Sequence, residues 1–133
     1  MLTLMNKLLE TTGKKYIDEI WKNLEVYFHG GVSFKPYRTE FKNIISNKQF
    51  KYYEVYNASE GFFAIQDRND SDELLLMLDY GIFYEFIEIN NSTKSEKIID
   101  LSMVEVGVNY ALIITTNSGL WRYKIGDTII FTN

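Results

Sequence analysis

The first residues place apolar side chains at helical spacing: Leu2, Met5, Leu8 and Leu9, then Tyr16, Ile17, Ile20 and Trp21. Gly13 stands between the two sets, so the pattern predicts two helices or one broken helix, ending near Asn23. Residues 24–28 alternate and then turn apolar, which predicts a strand that His29-Gly30-Gly31 ends. Pro36 suits the first position of a short helix, with Tyr37, Phe41, Ile44 and Ile45 as its apolar stripe. Strands are predicted at 50–55, 62–65, 74–78 and 82–89. The run 74–78 is apolar on both faces, as in a central covered strand, and Asp79-Tyr80-Gly81 reads as a hairpin-like turn after it. Residues 67–72 and 90–97 are polar connections. A short helical connector over 103–107, a buried strand over 110–116, a turn at Asn117-Ser118-Gly119, a return at 120–123 and a last strand over 128–132 complete the pattern. Helices first and strands afterwards give an α/β to α+β fold with a mixed sheet.

Composition sharpens this picture without changing it. Ten Tyr and nine Phe in 133 residues favour strands and also line pockets. A net charge of −4 with scattered lysines argues against a nucleic-acid surface. The chain has no cysteine, which excludes disulfides, zinc thiolates and a thiol nucleophile within it. The first residues do not form a signal peptide, and no apolar run approaches the roughly 20 residues of a membrane helix, so a cytoplasmic protein is expected.

Three stretches can carry chemistry. Tyr56-Asn57-Ala58-Ser59-Glu60-Gly61 lies between two aromatic-rich strands as a small polar turn. A hydroxyl beside a carboxylate can grip a phosphate oxygen and hold Mg²⁺, although on its own the pair reads first as a turn with Glu60 in water. Gly30-Gly31 let the backbone approach a flat ring or simply form a tight turn. Gly126-Asp127 can offer a carboxylate to a ribose or simply turn the chain. Tyr56 can stack on a base or belong to the core. His29, the sole histidine, reads as structural or partly exposed. Arg122 and Lys124 share a strand face, where they can approach phosphate or stay solvated.

In order and spacing, these stretches resemble the Gretchen Hagen family of auxin-responsive acyl-acid amido synthetases, in its bacterial branch, within the adenylate-forming superfamily. The resemblance rests on residues 28–37 (Phe-His-Gly-Gly-Val-Ser-Phe-Lys-Pro-Tyr), 56–61, 82–86 (Ile-Phe-Tyr-Glu-Phe) and 119–127 (Gly-Leu-Trp-Arg-Tyr-Lys-Ile-Gly-Asp). It implies that Gly30 and Gly31 lie along the adenine of ATP or AMP. It also implies that Tyr56, Asn57 and Ala58 form the signature turn, with Tyr56 and Phe83 at the adenine. Ser59 would contact the α-phosphate, Glu60 would hold Mg²⁺, and Asp127 would bind the ribose hydroxyls. Val32 and Tyr53 would border an acyl pocket.

The family chemistry is carboxylate adenylation followed by transfer to an amino acid amine, with a small carboxylic acid and an amino acid as the parent enzyme's substrates. Two family features are not in the sequence: the Ser/Thr/Gly-rich phosphate loop and the lysine-bearing C-terminal domain. Residues 1–133 are therefore expected to be a single partial domain, the β-rich later portion of the large N-terminal domain, inactive alone and self-associating through cut edges. The alternative is a non-catalytic binding or self-associating module on the same fold.

Overall fold

The computed structural model describes residues 1–31, 34–69, 71–89 and 97–133, which form two compact units, Met1–Leu76 and Met77–Asn133. Together they hold two α-helices and two four-stranded sheets.

The first unit opens with helix α1 (Leu2–Thr12). Gly13 ends it in the left-handed conformation, φ 65°, which costs a glycine nothing. The second predicted helix is instead a single 3-10 turn, Ile17–Glu19. Its side chains take the backbone elsewhere. The Glu19 carboxylate accepts from the Lys15 and Tyr16 amides at 3.1 and 2.9 Å, and Asp18 accepts from the Ser46 amide at 2.9 Å and its hydroxyl at 2.5 Å. Ile17 is fully buried, so the apolar spacing is satisfied without a helix.

Strand β1 (Val26–Gly30) runs parallel to β2 (Lys51–Ala58), from Val26 opposite Lys51 to Gly30 opposite Val55. A parallel pair needs a crossover, and helix α2 (Arg38–Ile44) lies in that connection. Met5, Ile17, Phe34, Phe41, Ile45 and Phe50 form the core beneath, joined by Tyr27 and Tyr52. Its rings pack closely, with Tyr27 stacked on Phe41 at 4.8 Å and Phe34 tilted on Tyr52 at 5.2 Å. Strand β3 (Gly61–Ile65) returns antiparallel to β2, and β4 (Leu75–Leu76) closes the order β1-β2-β3-β4. The expectation of a central, doubly covered strand at 74–78 fails here. Only two residues pair, at a sheet edge, and Leu75 and Leu78 are more than half exposed.

The second unit is an antiparallel sheet ordered β6-β5-β7-β8: β5 (Ile82–Glu88), β6 (Ile98–Asp100), β7 (Asn109–Thr116) and β8 (Tyr123–Ile130). Asp79-Tyr80-Gly81 thus joins strands of different sheets and is not a hairpin turn. Strand β6 has no counterpart in the sequence pattern. The predicted 90–97 connection lies outside the described residues up to 96. The predicted connector starts earlier, as a 3-10 turn at Leu101–Met103 capped by Asp100, which accepts from the Ser102 amide at 2.8 Å. The predicted single mixed sheet is therefore corrected to two sheets, one mixed and one wholly antiparallel.

Candidate functional site

The hexapeptide is only partly a turn. Tyr56, Asn57 and Ala58 continue β2, Ala58 pairs with Gly61, and Ser59-Glu60 alone form the tip of a two-residue hairpin. The register slips by one between Tyr56 and Asn57, leaving Phe63 as the surplus residue of β3. That bulge has a packing role, since Phe63 is fully buried and its ring tilts against Tyr56 at 4.9 Å. At the tip, Ser59 is exposed and Glu60 half-buried. No salt bridge among the described residues engages Glu60.

Gly30 is brought beside the same strand. A Cβ there would collide with the Val55 carbonyl oxygen and sit 3.1 Å from Asn57 Oδ1. The close approach that requires glycine at this position is therefore β2 itself. Gly31 differs. Its φ is 82°, and an added Cβ would meet nothing within 4 Å among the described residues. Its backbone borders open space, the condition a flat ligand needs. Val32 lies outside the described residues, and Tyr53 stacks on Phe28 at 5.6 Å.

Behind Gly30 the first unit holds a cavity of about 280 Å³. Tyr27, His29, Phe34, Tyr37 and Phe41 line it, with Met1, Leu2 and Thr3. His29 stacks on Phe34 at 4.1 Å, and its Nδ1 is buried without a hydrogen-bond partner among the described residues. Burial pushes its pKa below the ordinary 6.5, Glu54 opposes that shift, and Arg38 adds to it. The sequence pattern does not announce this cavity. Its only signal is the aromatic spacing at 34, 37 and 41, which also builds the core.

In the second unit, Phe83 is 60% exposed on β5. Gly126-Asp127 lies inside β8 and not in a turn before it. Lys124 pairs with Ile113 and Thr128 with Ala111, so Ile125, Gly126 and Asp127 together oppose Leu112. This wide bulge explains the glycine, because Gly126 adopts φ 100°. Arg122 is committed to protein: Nε and Nη2 donate to the Glu85 carboxylate at 2.9 and 2.5 Å.

The donor set suits Mg²⁺ in one way only. Among the described residues there is no cluster of three or more His, Asp or Glu side chains that could cage a metal. A single carboxylate at a hairpin tip fits an ion whose other ligands are phosphate oxygens and water. No described helix is long and apolar enough to cross a membrane.

Residues 75–133 match the GH3 family central domain. The chain is 34% identical over 80 residues to a probable indole-3-acetic acid-amido synthetase GH3.9 of Oryza sativa subsp. japonica, a match covering 58% of this chain and 18% of the relative. It is 34% identical over 86 residues to the indole-3-acetic acid-amido synthetase GH3.8 of Oryza sativa subsp. indica, covering 59% and 14%. It is 32% identical over 90 residues to a putative indole-3-acetic acid-amido synthetase GH3.9 of Arabidopsis thaliana, covering 56% and 15%. The chain thus spans less than a fifth of these relatives' length. The family match thus lies on residues 75–133, which are similar to the GH3 central domain.

Proposed function

We propose that the chain is part of an ATP-dependent acyl-acid amido synthetase and carries its adenine, ribose and Mg²⁺ contacts. The observation that carries this reading is the match of residues 75–133 to the GH3 central domain, with relatives named as amido synthetases. The geometry supports it. Among the described residues nothing crowds a Cβ at Gly31, Ser59 and Glu60 form a hairpin tip, and Asp127 is exposed on a bulge. In this reading Gly30, Gly31 and Tyr56 contact the adenine, and Phe83 is a further adenine contact. Ser59 hydrogen-bonds the α-phosphate, and Asp127 accepts from the ribose hydroxyls. Mg²⁺ held by Glu60 neutralises phosphate charge.

A carboxylate oxygen of the acid attacks the α-phosphorus, forming an acyl–oxygen–phosphorus bond as the bond to pyrophosphate breaks. The amino acid nitrogen then attacks the acyl carbon, AMP leaves, and the nitrogen loses a proton. Neither step needs a covalent nucleophile from the protein, in keeping with a cysteine-free chain. The chain's part is to bind and orient the nucleotide. We expect it to be inactive alone.

Calorimetric titration of AMP with Mg²⁺ into the chain and into Asp127→Ala tests the reading. Binding that the substitution abolishes supports it. Equal binding by both proteins removes Asp127 from the site, and no binding by the folded chain removes the claim that these residues suffice for nucleotide.

A further inference from the structure

We infer that the Glu85–Arg122 ion pair is a positioning device for Asp127, an inference that rests on the nucleotide reading above. Glu85 is buried on β5, at 8% exposed, with β7 lying between it and β8. The register aligns Glu85 with Ile113 and Ile113 with Lys124, so the pair crosses the middle strand to reach the start of β8. Two parallel N–H···O bonds set both the distance and the plane of the guanidinium, which a single bond does not.

The backbone at this point is strained. Arg122 has φ 47°, the positive-φ residue other than glycine among those described. Such a conformation persists only where its surroundings over-determine it. Here three anchors do so: the carboxylate grip on the side chain, the Arg122 amide donating to Thr115 Oγ1 at 3.1 Å, and the Thr116 amide donating to the Leu120 carbonyl at 2.9 Å.

The residues after Arg122 give such a fixture its use. Tyr123 and Lys124 pair normally with Ile114 and Ile113, and then three residues oppose one. Among the described residues β8 pairs with β7 alone, so the bulge has a ladder on one side there. A surplus of two residues on an edge strand has several ways to buckle. Fixing the strand three residues before Ile125, where the bulge begins, selects one of them, and with it the position of Asp127. Arg122 is thus a positioning residue acting through backbone, not a phosphate ligand.

The test uses the full chain with Arg122→Lys, which keeps the charge and loses the fork, and Glu85→Gln, which keeps the shape. Trp121→Ser, at an exposed neighbour, is the control. Both variants should unfold cooperatively, should exchange amides at 125–128 about tenfold faster, and should bind AMP with Mg²⁺ about tenfold more weakly. The double variant should be no worse than either single one. Unchanged exchange at 125–128 in Arg122→Lys would overturn the inference. So would a double variant whose losses simply add. If Glu85→Gln does not fold, Arg122→Lys alone decides. If the parent chain binds no AMP, the claim that these residues suffice for nucleotide fails while the exchange measurement still settles whether the pair fixes the bulge.

Discussion

The two units are built on opposite plans. In the second, six of the eight residues of β7 are buried, and Leu112 and Ile114 are fully so. In the first, none of the eight residues of β2 is buried, and the core lies in an aromatic layer shared with α1 and α2. The family match falls on 75–133, the unit of deeply buried strands, while most of the candidate nucleotide residues fall on the other. The difference separates two kinds of constraint. Buried strands hold a recognisable pattern because each position must fit its neighbours. A hairpin tip or a glycine facing open space is free to serve a ligand.

The largest effect that can break this comparison comes from the cores. Leu112→Ala should cost about 2–5 kcal/mol, because a fully buried side chain leaves a cavity that a strand flanked on both sides cannot collapse. Phe28→Ala in β1 should cost at most about 1.5 kcal/mol, since that ring is 55% exposed and loses mainly its stacking on Tyr53. Urea unfolding of both variants checks the ranking, and equal costs would mean that the first unit depends on its outer face as much as the second does on its interior.

The adjacent glycines sharpen the same contrast at a finer scale. Gly30→Ala drives a methyl into the Val55 carbonyl, so it should cost about 1–3 kcal/mol by forcing β1 away from β2. Gly31→Ala meets open space and loses only through its left-handed backbone, about 1–2 kcal/mol. Thermal unfolding gives the stabilities and AMP titration gives the separation. Gly31→Ala should weaken binding with β1–β2 pairing intact, and Gly30→Ala should weaken binding only as far as it loosens that pairing.

Much of this fold is legible in the sequence. The helical spacing of Leu2, Met5, Leu8 and Leu9 and the continuous apolar run of β7 name their elements directly, because burial on one stripe or on both faces leaves a periodic trace. The same rule misleads at Tyr16–Trp21, where carboxylates bind the backbone and leave a 3-10 turn. It misleads again at 74–78, where the chain passes from one unit to the other after Leu76. Asp127 reads as a turn residue, because a Gly-Asp pair within a wide bulge looks locally like one. The ion pair that reaches across the sheet from Glu85 is not legible at all. It joins residues 37 positions apart, and only the strand order reveals it.

The smallest effect concerns pH, and again the units differ. Burial lowers the His29 pKa below 6.5, so between that value and the lower folded one the unfolded chain binds more protons. Stability should therefore decline as pH falls below about 6.5 and stop declining once the folded imidazole is also protonated. Glu54 limits the effect by favouring the charged ring, while Arg38 enlarges it. Asp18 works in the same direction at lower pH. Burial would raise its pKa, but the Ser46 hydroxyl and amide outweigh burial, so its support is lost as pH falls through the carboxylate range below 3.8. Among the described residues of the second unit the shifted groups are Tyr84, raised by burial above 10, and Arg122, raised further by Glu85, and neither titrates between pH 4 and 8. Unfolding followed at pH 7.5, 6 and 5 should show a decline in the parent that His29→Gln removes. A decline that persists unchanged in His29→Gln would place the sensitive group elsewhere and leave the aromatic layer of the first unit indifferent to its one histidine.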